Sequence, residues 1–113
     1  MKANRSLALT LGGIALAAWA ARRALTADFS FEGKVVLITG GSRGLGLVMA
    51  RQICAQGGRV ILLARDRAEL QRAHDELVKA GGDVSMLPCD LLDRTQIEEA
   101  VRTVLDHYGQ IDV

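Results

Sequence analysis

The apolar residues of the chain alternate between two periods. Val35-Val36-Leu37-Ile38 is an unbroken aliphatic and β-branched run, and Val60-Ile61-Leu62-Leu63 inside Arg59–Ala64 is another. Runs without polar alternation suit parallel strands buried on both faces. Asp83–Pro88 alternates more, with Pro88 at its end, and reads as a third strand nearer an edge. Between the strands the spacing becomes helical. Leu45, Val48, Met49 and Ile53 form one stripe, Leu70, Ala73, Leu77 and Ala80 a second. Ile97, Ala100, Val101, Val104, Leu105 and Tyr108 form a third. Asp66 with Glu69, and Asp93 with Gln96, mark helix starts of capping-box type. Gly57-Gly58, Gly81-Gly82 and Gly109 mark helix ends. Ile111-Asp112-Val113 reads as the opening of a fourth strand. The order β-α-β-α-β-α predicts right-handed crossovers, hence an α/β fold with a doubly wound parallel sheet.

Chemistry concentrates where the first strand ends. Thr39-Gly40-Gly41-Ser42-Arg43-Gly44-Leu45-Gly46 places a glycine-rich turn between a strand and a helix N-terminus. The unpaired N–H groups of that terminus and its dipole favour an anion. Side chains there would hold the backbone away from a pyrophosphate. A G-x-G-x-x-G register starting at Gly44 fails, because it needs glycine at Met49. What fits is T-G-x-x-x-G-x-G, from Thr39 to Gly46.

On these residues the chain resembles the short-chain dehydrogenase/reductase family, over residues 32–113. The resemblance implies an incomplete Rossmann-type domain over residues 34–113 that binds a nicotinamide dinucleotide. It assigns cofactor contacts to Gly40, Ser42, Arg43, Gly44, Leu45 and Gly46 in the turn, to Arg65 after the second strand, and to Asp90 and Leu91 after the third. In dinucleotide-binding folds an acidic residue after the second strand holds the ribose 2′-hydroxyl, and a nearby Arg accommodates a 2′-phosphate. Here Ala64 takes the acidic position and Arg65 follows, so no carboxylate is expected to repel a phosphate. Arg43 adds a second cation, and NADP is favoured over NAD. Asp66 would weaken that preference if it took the acidic position; as a helix cap it would not. Asp90 is open to two roles, an acceptor for the adenine amino group or the first residue of a turn.

The family's catalytic Ser and Tyr-x-x-x-Lys, with their supporting Asn, have no counterpart in these 113 residues. Tyr108 is followed four residues on by Asp112, not Lys. The chain therefore reads as the N-terminal part of an NADP-preferring reductase that moves hydride between nicotinamide and a carbonyl or alcohol. A non-catalytic nucleotide-binding module and a non-functional fragment are the alternatives. A sheet ending at the first strand would expose a flat apolar edge. Net charge of +1 and 4% aromatics offer nothing for nucleic acid. Cys54 and Cys89 lack metal-ligand spacing and read as two thiols in a reducing compartment rather than a disulfide.

Residues 1–23 differ in character. Leu7 to Ala21 carries no charge, after a basic start and before Arg22-Arg23. About 15 helical residues rise roughly 22 Å, short of a hydrocarbon core of roughly 30 Å. Snorkelling arginines and an interfacial Trp19 favour a membrane anchor through residues 7–21. A signal-like segment and an apolar helix packed on the protein itself are the other readings. Residues 24–33 then form a linker. An anchor implies a membrane-associated chain with its nucleotide domain on the cytoplasmic side, and it suggests a lipophilic substrate. On the anchor reading, Leu11→Asp combined with Leu16→Asp moves the protein from the membrane fraction to the soluble fraction on cell fractionation. Unchanged partition would contradict it.

Overall fold

The computed structural model describes residues 11–21 and 29–113. Residues 11–21 are helical (α1), and none of their side chains is buried. Among the described residues, no helix is long and apolar enough to cross a membrane. Residues 7–10, Arg22, Arg23 and 24–28 lie outside the described residues. The remainder runs β1 (Val35–Thr39), α2 (Gly44–Ala55), β2 (Arg59–Ala64), α3 (Arg67–Lys79), β3 (Asp83–Pro88) and α4 (Arg94–Tyr108).

The three strands are parallel, in spatial order β1-β2-β3. Val36 lies opposite Val60, and Val60 opposite Val84. Each strand sends alternate side chains to opposite faces, so the two unbroken runs feed two cores. On one face Val36, Ile38, Val60, Leu62 and Val84 pack with Ala50 and Ile53 of α2 and Leu70, Ala73 and Leu77 of α3. On the other face Val35, Ile61 and Leu63 pack with Cys89 and with Ala100 and Val104 of α4. Helices thus cover both faces, and the chain changes face between α3 and α4. β2 is central, and its middle is enclosed; Ile61, Leu62 and Leu63 are at most 1% exposed. Each such side chain contributes about 1.5–3 kcal/mol of burial.

The last residues close on the first strand. Val113 donates its N–H to the Val35 carbonyl (3.2 Å) and accepts from the Leu37 N–H (2.9 Å). That is one rung of a parallel ladder, with Val113 opposite Val36 on the side of β1 away from β2. The Val35 N–H donates to Asp112 Oδ2 at 2.8 Å. β1 is thus met at this rung, where the sequence suggested a bare edge.

The predicted stripe of α2 needs correction. Ile53 is buried, but Leu45 is 75% exposed, and Val48 and Met49 are exposed too. The face on the sheet is Leu47, Ala50, Ile53 and Cys54. α2 is apolar around most of its circumference, so a helical period alone does not select its inner face. Leu45 and Met49 instead flank a groove beside β1 with Leu37 and Val113. In α3, Leu70, Ala73 and Leu77 are buried as expected, while Ala80 is the exposed C-cap. In α4, Leu105 is exposed.

The β1–α2 turn is where backbones come closest. Gly40 (φ +68) and Gly44 (φ +59) adopt left-handed conformations that L side chains resist. A Cβ on Gly46 would lie 2.4 Å from the Gly40 carbonyl oxygen, and one on Gly41 would lie 2.6 Å from Leu62 Cδ2. Gly46, which meets backbone, is therefore required by packing within the protein itself, whereas Gly41 meets a side-chain tip. Gly46→Ala forces α2 away from the turn, and a loss of about 1–3 kcal/mol in urea unfolding is expected. A loss below about 0.5 kcal/mol would contradict this account of the turn.

Candidate functional site

The carboxyl ends of β1, β2 and β3 open onto one cleft of about 420 Å³. Its walls are Gly40, Ser42 and Arg43 from the first strand end, and Ala64, Arg65, Asp66 and Glu69 from the second. Cys89, Asp90, Leu91 and Leu92 complete it from the third. Open α/β sheets place ligands at the carboxyl ends of their strands, at the point where the chain changes face. That point lies beside β1, between α2 on one face and α4 on the other.

Three helices begin at this edge, and they differ in how their first N–H groups are satisfied. Asp66 caps α3, accepting from Ala68 N–H (2.9 Å) and Glu69 N–H (3.1 Å). Asp93 caps α4, accepting from Thr95 N–H (3.0 Å) and Gln96 N–H (3.3 Å). α2 begins after Arg43 with no side-chain cap and no acidic residue in its first turn. An uncapped terminus keeps its dipole and its donors for another acceptor. The open space above the Cα atoms of Gly40 and Gly44 gives that acceptor access.

Of the predicted contacts, Gly40, Ser42, Arg43, Arg65, Asp90 and Leu91 line the cleft together. Gly44, Leu45 and Gly46 do not form its wall; they are the first turn of α2 behind it. The Leu45 side chain points away, to the groove beside β1. Arg65 is exposed and makes no hydrogen bond or ion pair among the described residues. Asp66 serves as the helix cap. Asp90 Oδ1 accepts from the Leu92 N–H at 3.0 Å, so Asp90 opens a turn. One acceptor position of a carboxylate meets that need and its others are distinct, so the turn is compatible with a second contact.

The position at the end of the second strand is Ala64, with Arg65 following it, but Asp66 and Glu69 also line the cleft. Glu69 departs from its expected capping-box role. Instead of reaching the Asp66 N–H, its carboxylate accepts from Ser42 Oγ (3.4 Å) and lies 3.7 Å from Arg43 Nη1. The reason is directional: helical side chains lean toward the N-terminus, and at the third position of α3 that direction is the β1–α2 turn. Asp66 already satisfies the first turn, so the Glu69 carboxylate is released to bridge the two elements.

Cys89 forms part of the cleft wall and is buried. Burial, with the nearby Asp90 and Asp93 carboxylates, pushes its thiol pKa up, so it stays protonated. Both cysteines are free, Cys54 half-buried rather than fully buried. Among the described residues no cluster of His, Cys, Asp or Glu could hold a metal ion. The Ser85 and Tyr108 hydroxyls share a hydrogen bond on the α4 face, away from the cleft.

Comparison with known proteins agrees with this geometry. The short chain dehydrogenase family model matches residues 34–113. A fatty acyl-CoA reductase of Acinetobacter baylyi is 37% identical over 81 residues, which cover 72% of this chain and 28% of that protein. A metagenomic short-chain oxidoreductase in complex with NADP superposes with a TM-score of 0.71 at 39% identity, covering 75% of this chain and 38% of that one. A short-chain dehydrogenase/reductase from Burkholderia phymatum in complex with NAD has a TM-score of 0.71 at 30% identity, covering 74% and 30%. The chain spans less than a third of the length of the curated relatives it matches. On its sequence, its sheet and its glycine turn, the chain belongs to the short-chain dehydrogenase/reductase family.

Proposed function

We propose that this chain supplies the cofactor-binding part of an NADP-preferring reductase that moves hydride between nicotinamide and a carbonyl or alcohol. The observation that carries the reading is the uncapped N-terminus of α2 beside two arginines, Arg43 and Arg65, at the mouth of the cleft. In this reading Gly40, Gly44, Leu45 and Gly46 present backbone to the pyrophosphate, and the α2 dipole favours its charge. Ala64 leaves room where a carboxylate would hold a 2′-hydroxyl. Arg65, with no competing partner, takes the 2′-phosphate with help from Arg43 and Ser42. Asp90 and Leu91 meet the adenine. The cofactor, when bound, supplies or accepts the hydride.

The domain plan that goes with this function keeps residues 1–23 as a membrane anchor, 24–33 as a linker and 34–113 as the nucleotide domain, on the cytoplasmic side where the cofactor is found. A lipophilic substrate fits the anchor, and it fits the name of the Acinetobacter baylyi relative.

The test compares thermal melts of the chain with NADPH and NADH at equal concentration. A ligand that binds only the folded state raises its stability. NADPH is expected to give the larger shift. Arg65→Asp is expected to weaken NADPH at least about tenfold, as befits a lost charge-assisted contact, and NADH less than about threefold. Equal shifts for the two cofactors, or an unchanged NADPH shift in Arg65→Asp, would contradict the proposal.

A further inference from the structure

We infer that Glu69 sets how strongly the cleft distinguishes a 2′-phosphorylated adenosine cofactor from an unphosphorylated one, by holding Arg43 and Ser42. The inference rests on the NADP reading above and adds to it a residue that opposes the preference.

The Glu69 carboxylate uses the donors a phosphate monoester would use. One oxygen accepts from Ser42 Oγ (3.4 Å) and the other lies 3.7 Å from Arg43 Nη1. The pair is asymmetric. The Glu69 side chain is 27% exposed and the Arg43 side chain 81%. The acid is thus fixed on α3, while the guanidinium reaches to it from solvent. Glu69 sits in the first turn of α3, where the positive end of the helix dipole attracts its carboxylate. A second acidic group, Asp66, lies beside it and caps the same helix.

Two effects follow for a 2′-phosphate. It must take Ser42 and Arg43 from the carboxylate, and it must then stand near a like charge. A ribose 2′-hydroxyl meets neither cost, because a carboxylate accepts its hydrogen bond. Glu69 therefore narrows the gap that Arg43 and Arg65 open. Arg65, which has no such partner, remains the principal phosphate ligand, and Arg43 becomes a conditional one.

The experiment is calorimetric titration of the full chain with adenosine 2′,5′-bisphosphate and with AMP. These probes differ by the 2′-phosphate and need no nicotinamide contact. Glu69→Gln removes the charge and keeps the volume. It is expected to tighten bisphosphate binding about tenfold and to change AMP less than about threefold. Glu69→Ala leaves the Asp66 cap in place and gives the same reading should the glutamine variant not fold. In an Arg43→Ala background the gain is expected to shrink below about threefold, since Glu69 acts through Arg43. If wild type prefers the bisphosphate and neither variant widens the preference, Glu69 has no such role and the NADP reading stands. If the gain persists in full without Arg43, the proposed coupling is wrong. If wild type and variants all fail to distinguish the probes, the NADP reading falls and this inference with it.

Discussion

The approach of α2 to the end of β1 governs the carboxyl edge of the molecule. Gly46, in the first turn of α2, lies so close to the Gly40 carbonyl that not even a methyl group fits between them. Gly41 lies against the Leu62 side chain of the central strand. This packing holds the helix axis against the sheet and aims its N-terminus across the strand ends. The left-handed conformations of Gly40 and Gly44 turn the chain within four residues. The first turn of α2 is then left without an acidic side chain, whereas α3 and α4 each receive an aspartate. A helix end costs stability when its donors go unmet, and the α2 end, without a side-chain cap, leaves its donors open to an outside acceptor.

Around that terminus the electrostatics are balanced rather than simply positive. Arg43 and Arg65 face Asp66, Glu69 and Asp90 across one cleft. Asp66 and Asp90 serve the local backbone as a helix cap and a turn. Glu69 serves the tertiary structure, tying α3 to the β1–α2 turn. Arg51 and Glu76 tie α2 to α3 further along at 2.7 Å. Charge in the cleft is thus partly structural. Of the two arginines, Arg43 is already engaged by Glu69 and Arg65 is not.

Much of this was legible in the sequence because the local signals are strong. The unbroken runs at Val35 and Val60 named the buried parallel strands, and β2 and β3 have the bounds their composition suggested. The cap at Asp66 and the edge position of β3 follow from single residues. The opening of a further strand at Ile111-Asp112-Val113 is seen in its first rung against β1. Two features were hidden. The inner face of α2 was read correctly only at Ile53, because Leu45, Val48 and Met49 compete with Leu47, Ala50 and Cys54 for the same role. The place of Glu69 in the cleft could not be read because a capping-box pattern explains the residue locally. Only the tertiary approach of α3 to Ser42 and Arg43 shows that its carboxylate goes elsewhere. Local sequence reasoning finds interactions within an element; it misses those that exist because two elements meet.

The most direct test is to follow backbone amide resonances of the 15N-labelled chain while NADPH is added. The account predicts that the largest shifts fall on Gly40 to Gly46, with further shifts at Arg65, Asp66, Asp90 and Leu91, and none on the outer face of α4 around Val101 and Leu105. Saturable shifts centred on Leu45 and Gly46 would place the anion at the uncapped α2 terminus. Amides of the glycine turn that do not move while others do, or a spectrum unchanged by NADPH, would contradict the claim that this turn is the nucleotide site.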